Sequence, residues 1–217
     1  MAYRHDNMPM PEIGTLGSMN FWDQQFGAEG YKYGTQPNAF LAAQAHRLAP
    51  GSDVLVPGDG EGRNGAWLAG QGHFVTAMDG SAVGLEKARA LAASRGVHLQ
   101  TVQADLADWT PAPDSADAVV LTFVHLPPVI RLAAHRRLMQ ALRPGGLLLL
   151  EAFHPRQLPL RSGGPKDETM LYTLAMLRQD FDGLDECLGE EVETLLDEGP
   201  GHQGPAQVIR WIGRRPD

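Results

Sequence analysis

The run from Val54 to Ala69, Val-Leu-Val-Pro-Gly-Asp-Gly-Glu-Gly-Arg-Asn-Gly-Ala-Trp-Leu-Ala, leaves this chain few folds to choose from. An apolar strand pattern over Val54 to Pro57 enters a glycine-dense turn, and the turn opens a helical pattern from Arg63 to Gly70. Glycine has no Cβ and adopts positive φ without penalty, so backbone in such a turn can come close to a ligand. The helix behind it aims free N–H groups at whatever lies there. Read literally, Gly60-Glu61-Gly62-Arg63-Asn64-Gly65 fits G-x-G-x-x-G, the dinucleotide spacing. That spacing alone is a weak signal, and the other segments have to decide which ligand is meant.

The same alternation continues to Ala152. A second strand is expected over His73 to Met78, closed by Asp79-Gly80, and a helix from an N-cap at Ser81 through Arg95, ended by Gly96. Further strands are expected over Val97 to Val102 and Ala116 to Phe123, then a helix over Val129 to Leu142, stopped by Arg143-Pro144-Gly145-Gly146. Leu147 to Glu151 is an unbroken apolar run, as in a strand buried on both faces of a parallel sheet. Strands alternating with helices imply right-handed crossovers. The expected fold class is α/β: a Rossmann-like, doubly wound, mostly parallel sheet with helices on both faces. Cys187 to Leu196 and Ala206 to Gly213 would add a C-terminal antiparallel pair, and Asn38 would cap a helix running to Leu48. Met1 to Asn20, rich in Pro, Gly and Met, reads as irregular; Gln157 to Asp167 reads as a loop and Glu168 to Gln179 as a helix. The whole chain, 1–217, reads as one domain: an N-terminal lid or extension (1–37), a cofactor-binding core (38–152) and a substrate-side part (153–217).

Composition narrows the partners. A net charge of −8 without any Lys/Arg-rich run disfavours nucleic acid and anionic membranes. One cysteine, Cys187, permits no internal disulfide and suits a reducing, cytoplasmic setting. The first residues lack the basic and apolar regions of a signal peptide, and no apolar run is long enough to span a bilayer. The expected partner is a small molecule; oligomeric state is not legible.

In this fold, ligands sit outside the carboxyl ends of the strands, at the topological switch point. Asp79, with Gly80 and Ser81, falls after the second strand, where a carboxylate accepts from both hydroxyls of a ribose; the plainer alternative is a helix-capping aspartate. Gln103-Ala104-Asp105-Leu106 puts a carboxylate where an adenine amino group could donate to it, with the next N–H facing a ring nitrogen; the alternative is an ordinary loop aspartate. Leu142-Arg143-Pro144-Gly145-Gly146 is by itself only a helix stop before a strand.

Taken together and in this order, the glycine turn, Asp79, Ala-Asp-Leu and Leu-Arg-Pro-Gly-Gly resemble the class I S-adenosylmethionine (SAM)-dependent methyltransferases. Phe21-Trp22-Asp23, Tyr31-Lys32-Tyr33-Gly34-Thr35-Gln36-Pro37-Asn38, His125-Leu126-Pro127, Gly163 to Asp167 and Gly201-His202-Gln203-Gly204 are similar to the tellurite-resistance (TehB-like) branch. The resemblance implies SAM as cofactor. Gly58, Asp59, Gly60 and Gly62, with Arg63, would hold the methionine end. Asp79, Gly80 and Ser81 would hold the ribose, and Asp105 and Leu106 the adenine. Trp22, Tyr33 and Phe123 would complete the cofactor contacts, although the aromatics could equally pack a helix onto the sheet. One departure stands out: where the class carries an acid near the end of the first strand, this chain has Val56, and Asp59 inside the turn is the expected substitute.

The acceptor side is expected after the fourth and fifth strands. His125 and His154 could act as a base near neutral pH, and Arg156 could hold an oxyanion; any of them could be merely structural. His125, His154 and His202 match no zinc spacing. Met170 and Met176 read as core fillers, and Asp185 to Glu198 as a solvated acidic face. The functional expectation is methyl transfer from SAM to a small acceptor, with tellurite, selenite or a thiol as candidates. An NAD(P)-dependent oxidoreductase and a non-catalytic SAM-binding module are the alternatives.

Overall fold

The computed structural model describes residues 15–217, with side chains described from Phe21 onward. The helices are α1 (Thr15–Phe26), α2 (Ala39–Gln44), α3 (Arg63–Gly70), α4 (Ala82–Ser94), α5 (Pro128–Ala141) and α6 (Leu174–Asp180). The strands are β1 (Asp53–Pro57), β2 (Phe74–Asp79), β3 (Gln100–Gln103), β4 (Ala116–Thr122), β5 (Leu142–Phe153), β6 (Asp185–Asp197) and β7 (Gln203–Arg214). They form one seven-stranded sheet in the order β3-β2-β1-β4-β5-β7-β6. β1 to β5 pair in parallel; β7 runs antiparallel to both β5 and β6. The chain leaves β1 toward β2 on one side and returns through β4 on the other, which puts the switch point between β1 and β4.

Successive side chains of a strand face opposite sides of the sheet, and here each side has its own core. Val54, Val56, Ala118, Val120, Leu147 and Leu149 join α2, α3 and α4 residues in one cluster. Leu55, Val119, Leu121, Leu148 and Leu150 join α5 and α6 residues in the other. This two-sided burial is why the parallel strands read as unbroken apolar runs. Among the described residues no helix is long and apolar enough to cross a membrane.

The elements depart from expectation where local bonds compete. β3 starts at Gln100 rather than Val97, because Val97 N–H closes α4 by bonding to Ala92 O (3.0 Å) while Gly96 takes φ +68°; this is the six-to-one bond of a glycine C-cap. The helix expected over 168–179 is split into a 3-10 turn (Glu168–Met170) and α6. Leu171 and Tyr172 between them drop into the core, where the Tyr172 N–H donates to Phe153 O (3.0 Å) and its hydroxyl accepts from Leu126 N–H (2.8 Å). β5 already begins at Leu142, and its register to β4 jumps across Arg143 to Gly146 as a bulge. The stretch expected to be irregular is helical from Thr15 on; its residues 1–14 lie outside the described residues.

Candidate functional site

The turn between β1 and α3 is built by three glycines with φ of +67° (Gly58), +57° (Gly60) and +86° (Gly62). Each is also a close approach. A Cβ on Gly58 would lie 2.7 Å from Val124 Cγ2, one on Gly60 3.0 Å from Phe26 Cζ, and one on Gly62 2.5 Å from Ala88 Cβ. Gly62 therefore lets α3 dock on α4, whereas Gly58 and Gly60 face the residues that cover the turn. Gly58 N–H donates to Met78 O (2.7 Å), tying the turn to β2.

Asp79 ends β2 and is buried. Its Oδ2 accepts from Gly60 N–H and its Oδ1 from Ser81 N–H, both at 2.8 Å. Burial pushes its carboxyl up to about 6, against the pull of those N–H groups. A carboxylate has about four acceptor positions, so two remain for a ligand's hydroxyls. Ser81 caps α4 through Gly84 N–H (2.9 Å) and donates to Asp23 Oδ1 (2.6 Å), which brings α1 against the ribose position. Gly80 lies between them, its carbonyl 3.4 Å from Gln103 Nε2. Next to this, Asp105 heads a tight turn: its Oδ1 accepts from Ala107 N–H (2.8 Å), and its carbonyl from Asp108 and Trp109 N–H (3.1 and 2.8 Å). Among the described residues the Leu106 N–H has no hydrogen-bond acceptor.

Asp59 differs from expectation. Its carboxylate turns beneath α3, where both oxygens lie 3.2 Å from Gly65 N. Burial, reinforced by the charge of Asp79, raises it to about 8 although Gly65 opposes the shift. An acid aimed into its own helix and protonated near neutrality is not a substitute for the acid absent at Val56. Arg63 offers a different anchor. Its Nη2 pairs with Glu198 (2.7 Å), while its Nη1 is buried without a partner.

Aromatic rings cover the site. Trp22 stacks on Phe26 (centroids 5.3 Å), and Phe26 meets Tyr33 edge-on (6.5 Å). Tyr33 and Phe123 each lie 4.4 Å from the His202 ring, and Phe123 lies 4.6 Å from Phe153. Phe123 carries φ +55°, rare for a bulky residue; it turns the chain just beyond β4 and places Val124 over Gly58. Segment 31–38 is locked down by bonds sequence reading missed. Asn38 Nδ2 donates to Glu151 (2.5 Å) and Glu198 (2.9 Å), its N–H to Asn64 Oδ1 (2.9 Å), and Lys32 N–H to Glu61 (2.7 Å). Glu198 thus leaves the solvated acidic face assigned to Asp185 to Glu198. The one available signal was Asn64 beside Arg63, two polar residues in the first turn of a buried helix.

The three acceptor-side candidates are not gathered over the turn. His125 Nδ1 donates to Met170 O (2.7 Å) and its Nε2 accepts from Phe153 N–H (3.2 Å), so neither nitrogen is free; burial lowers it to about 4. His154 points to the β6 side, with Nε2 3.4 Å from Glu191 and Nδ1 accepting from Arg156 N–H (3.1 Å). Exposed Arg156 shares that glutamate at 3.2 Å. These bonds correct the expectation of base and oxyanion roles: all three side chains are engaged within the protein. Among the described residues no group of three or more His, Cys, Asp or Glu could hold a metal ion.

Comparison with known proteins agrees with this layout. Residues 54–146 match the family described as a methyltransferase domain. No curated protein sequence matches the chain. Among solved structures, one described as conversion of a disulfide bond into a thioacetal group during echinomycin biosynthesis superposes with a TM-score of 0.76 at 19% identity, covering 91% of this chain and 92% of that one. A SAM-dependent methyltransferase from Methanosarcina mazei gives 0.66 at 16%, covering 83% and 99%. TehB from Haemophilus influenzae gives 0.66 at 15%, covering 91% and 66%. Residues 54–146 thus match a methyltransferase domain, and the chain has the fold of SAM-dependent methyltransferases of known structure. The nicotinamide alternative is not favoured. The residues present fit SAM through a strand-end acid with open acceptor positions and a buried guanidinium N–H without a partner.

Proposed function

We propose that this protein transfers the methyl group of SAM to a small-molecule acceptor, with a thiol or the oxyanions selenite and tellurite as candidate nucleophiles. The observation that carries this reading is the convergence, at the β1/β4 switch point, of the glycine turn, Asp79, the Asp105–Leu106 turn and the unpartnered Nη1 of Arg63. Arg63 would take the methionine carboxylate, Asp79 the ribose hydroxyls, Asp105 and Leu106 the purine edge. Trp22, Tyr33 and Phe123 would shield the methyl group from water. When bound, SAM supplies a methyl carbon already activated by its sulfonium. The protein's part is alignment, which can supply about 7–11 kcal/mol of the barrier. Phe123, Phe153, Tyr33 and His202 surround the acceptor end with rings, and sulfur makes favourable contacts with aromatic edges, which favours a thiol among the candidates. The solved structure described as conversion of a disulfide bond into a thioacetal group also concerns sulfur chemistry. The free, exposed thiol of Cys187 accords with action in a reducing cytoplasm.

The test is calorimetric titration with SAM and S-adenosylhomocysteine, on the wild type and on Asp79→Ala. Binding by the wild type, weakened at least tenfold in the variant, is expected. A wild type that binds neither would sink the reading. Release of S-adenosylhomocysteine over a panel of thiols, selenite and tellurite then separates an enzyme from a binding module.

A further inference from the structure

The purine-side turn does not hold itself. Its inner bonds all run from N–H donors to Asp105 oxygens, and none uses the carbonyls of Leu106, Ala107 and Trp109. One side chain from a distant helix collects all three. Arg137, on α5, donates from Nη2 to Leu106 O and to Ala107 O, both at 2.8 Å, and from Nε to Trp109 O at 3.0 Å. A guanidinium suits this task, because it presents several donors in a fixed plane while a lysine ammonium is a point charge on a flexible stem. A cation at the carbonyl end of a single helical turn also opposes the turn's dipole. The turn's other end is the one with unmet donors and acceptors: Leu106 N–H is free among the described residues, and Asp105 has an oxygen not engaged by Ala107. One end of the turn is thus clamped by α5, and the opposite end is left open for a ligand edge.

We infer that Arg137 is a positioning residue for cofactor recognition. Through the three carbonyls it fixes the angle at which Asp105 and Leu106 meet the purine, and so sets how strongly the site distinguishes an amino-purine from its keto analogue. The inference rests on the SAM reading above and deepens it. Asp105 accepts from a 6-amino group and meets a 6-keto oxygen with repulsion, and that preference lasts only while the carboxylate is held in place. Arg137 touches neither ligand nor reacting atoms; its influence passes through the turn alone.

The test compares S-adenosylhomocysteine with S-inosylhomocysteine by calorimetry on wild type, Arg137→Gln and Arg137→Lys. One hydrogen bond to a charged group corresponds to a preference of about tenfold to a hundredfold for the adenosyl compound in the wild type. Arg137→Gln should bring that preference to threefold or less, chiefly by weakening the adenosyl compound, with affinity for the inosyl compound changed less than threefold. Arg137→Lys should fall between the two, which keeps the inference testable if Arg137→Gln does not fold. A purely structural role would weaken both ligands alike and leave the ratio intact, and that result overturns the inference. A wild type that binds both compounds equally overturns it as well, by removing Asp105 from the purine edge while leaving the methyltransferase reading standing. A wild type that binds neither removes both.

Discussion

Asp59 and Asp79, on one flank of the switch point, are held in the opposite way to the buried acids on the other. On the β1–β2 flank, Asp59 and Asp79 are hydrogen-bonded by backbone N–H groups of Gly65, Gly60 and Ser81. From β5 onward, Glu198 is held by Arg63, Asp180 by Arg131 and His135, and Glu151 by Arg210. The consequences diverge. Burial carries Asp59 to about 8 and Asp79 to about 6, because amide dipoles offset only part of the lost hydration. For Glu198 burial works upward, yet His202 and Arg63 overcome it and hold the acid at about 2. Asp180 is likewise held below the usual carboxylate range, by His135 and Arg131 against burial. Glu151 alone on that flank stays raised, since its burial outweighs Arg210 and Asn38. The second flank is therefore a finished clamp, with charges matched inside the protein. On the first, Glu61 in the turn pairs with Lys87 (2.9 Å), but Asp79 has no cationic hydrogen-bond partner, as suits a ligand that is itself cationic and rich in hydroxyls.

The largest expected effect comes from breaking the clamp. Glu198→Ala leaves Arg63 buried without its counter-charge and removes acceptors from Asn38 and Ala39. Removing one partner of a buried pair costs about 3–5 kcal/mol, or roughly 6–20 °C in melting temperature for a domain of this size. The pH dependence has a definite sign. Glu198 has a folded value of about 2 against an ordinary 4.5, so its stabilisation is full above about pH 4.5 and is lost as pH falls toward 2. Thermal unfolding of Glu198→Gln should show a flatter acid limb than the wild type. A loss under 1 kcal/mol in Glu198→Ala would mean that segment 31–38 is held by something else.

Asp59→Asn probes the other flank, where the sign reverses. Its folded value of about 8 lies above the ordinary 3.8, so its contribution is full below about pH 3.8 and is lost as pH rises through 8. Asp79 adds the same trend between about pH 4 and pH 6. Wild-type urea midpoints should therefore fall from pH 5 to pH 8, and Asp59→Asn should flatten that fall by something on the order of a few kcal/mol, since one unit corresponds to about 1.4 kcal/mol. A wild-type midpoint that rises across this range contradicts the account of the first flank. Affinity for S-adenosylhomocysteine should also weaken as pH drops below 6, where Asp79 takes up its proton.

The two flanks were unequally legible in sequence for the same physical reason. The first flank is local: a turn, a strand-end acid and an N-cap within about 30 residues of one another produce motif spacings, and Asp79 and the Asp105–Leu106 turn stand where those spacings put them. The mostly parallel sheet and its C-terminal antiparallel pair also followed from alternating patterns. The second flank is assembled from partners far apart in the chain. Asn38 to Glu198 and Glu151 to Arg210 leave no local pattern, so Glu198 read as one more acid on an edge strand. The same blindness misjudged the histidines. A histidine after a strand suggests a base, but the bonds that tie up His125 come from Met170 and Phe153, 45 and 28 residues away. Asp59 failed differently: its position in the turn was right, but a period-2 count does not say that its carboxylate folds under α3.

His125→Gln is expected to have a middling effect, on stability rather than chemistry. The imidazole satisfies the Phe153 N–H and the Met170 carbonyl at once. Glutamine can satisfy one of them, and a buried group left unpaired costs about 1–3 kcal/mol. With a value near 4 the ring is neutral throughout pH 6–8, so its removal should leave the pH profile of S-adenosylhomocysteine release unchanged in shape. A lost pH limb near 6 or 7 in the variant would restore His125 as a base.

Arg156→Ala should matter least, and so draws the boundary between the two flanks most sharply. Its side chain is 56% exposed and reaches only Glu191 and Gln207, on the β6–β7 hairpin. Exposed ion pairs of this kind contribute about 0.2–1 kcal/mol, and His154 still faces the same glutamate after the change. The backbone beneath is fixed independently, because His154 N–H donates to Gln207 O at 3.0 Å. Stability within about 0.5 kcal/mol of wild type is therefore expected from denaturant unfolding, with turnover of any accepted thiol within twofold. A tenfold loss of turnover at unchanged stability would put the end of β5 back in the acceptor site, and the clamp would then begin only at β7.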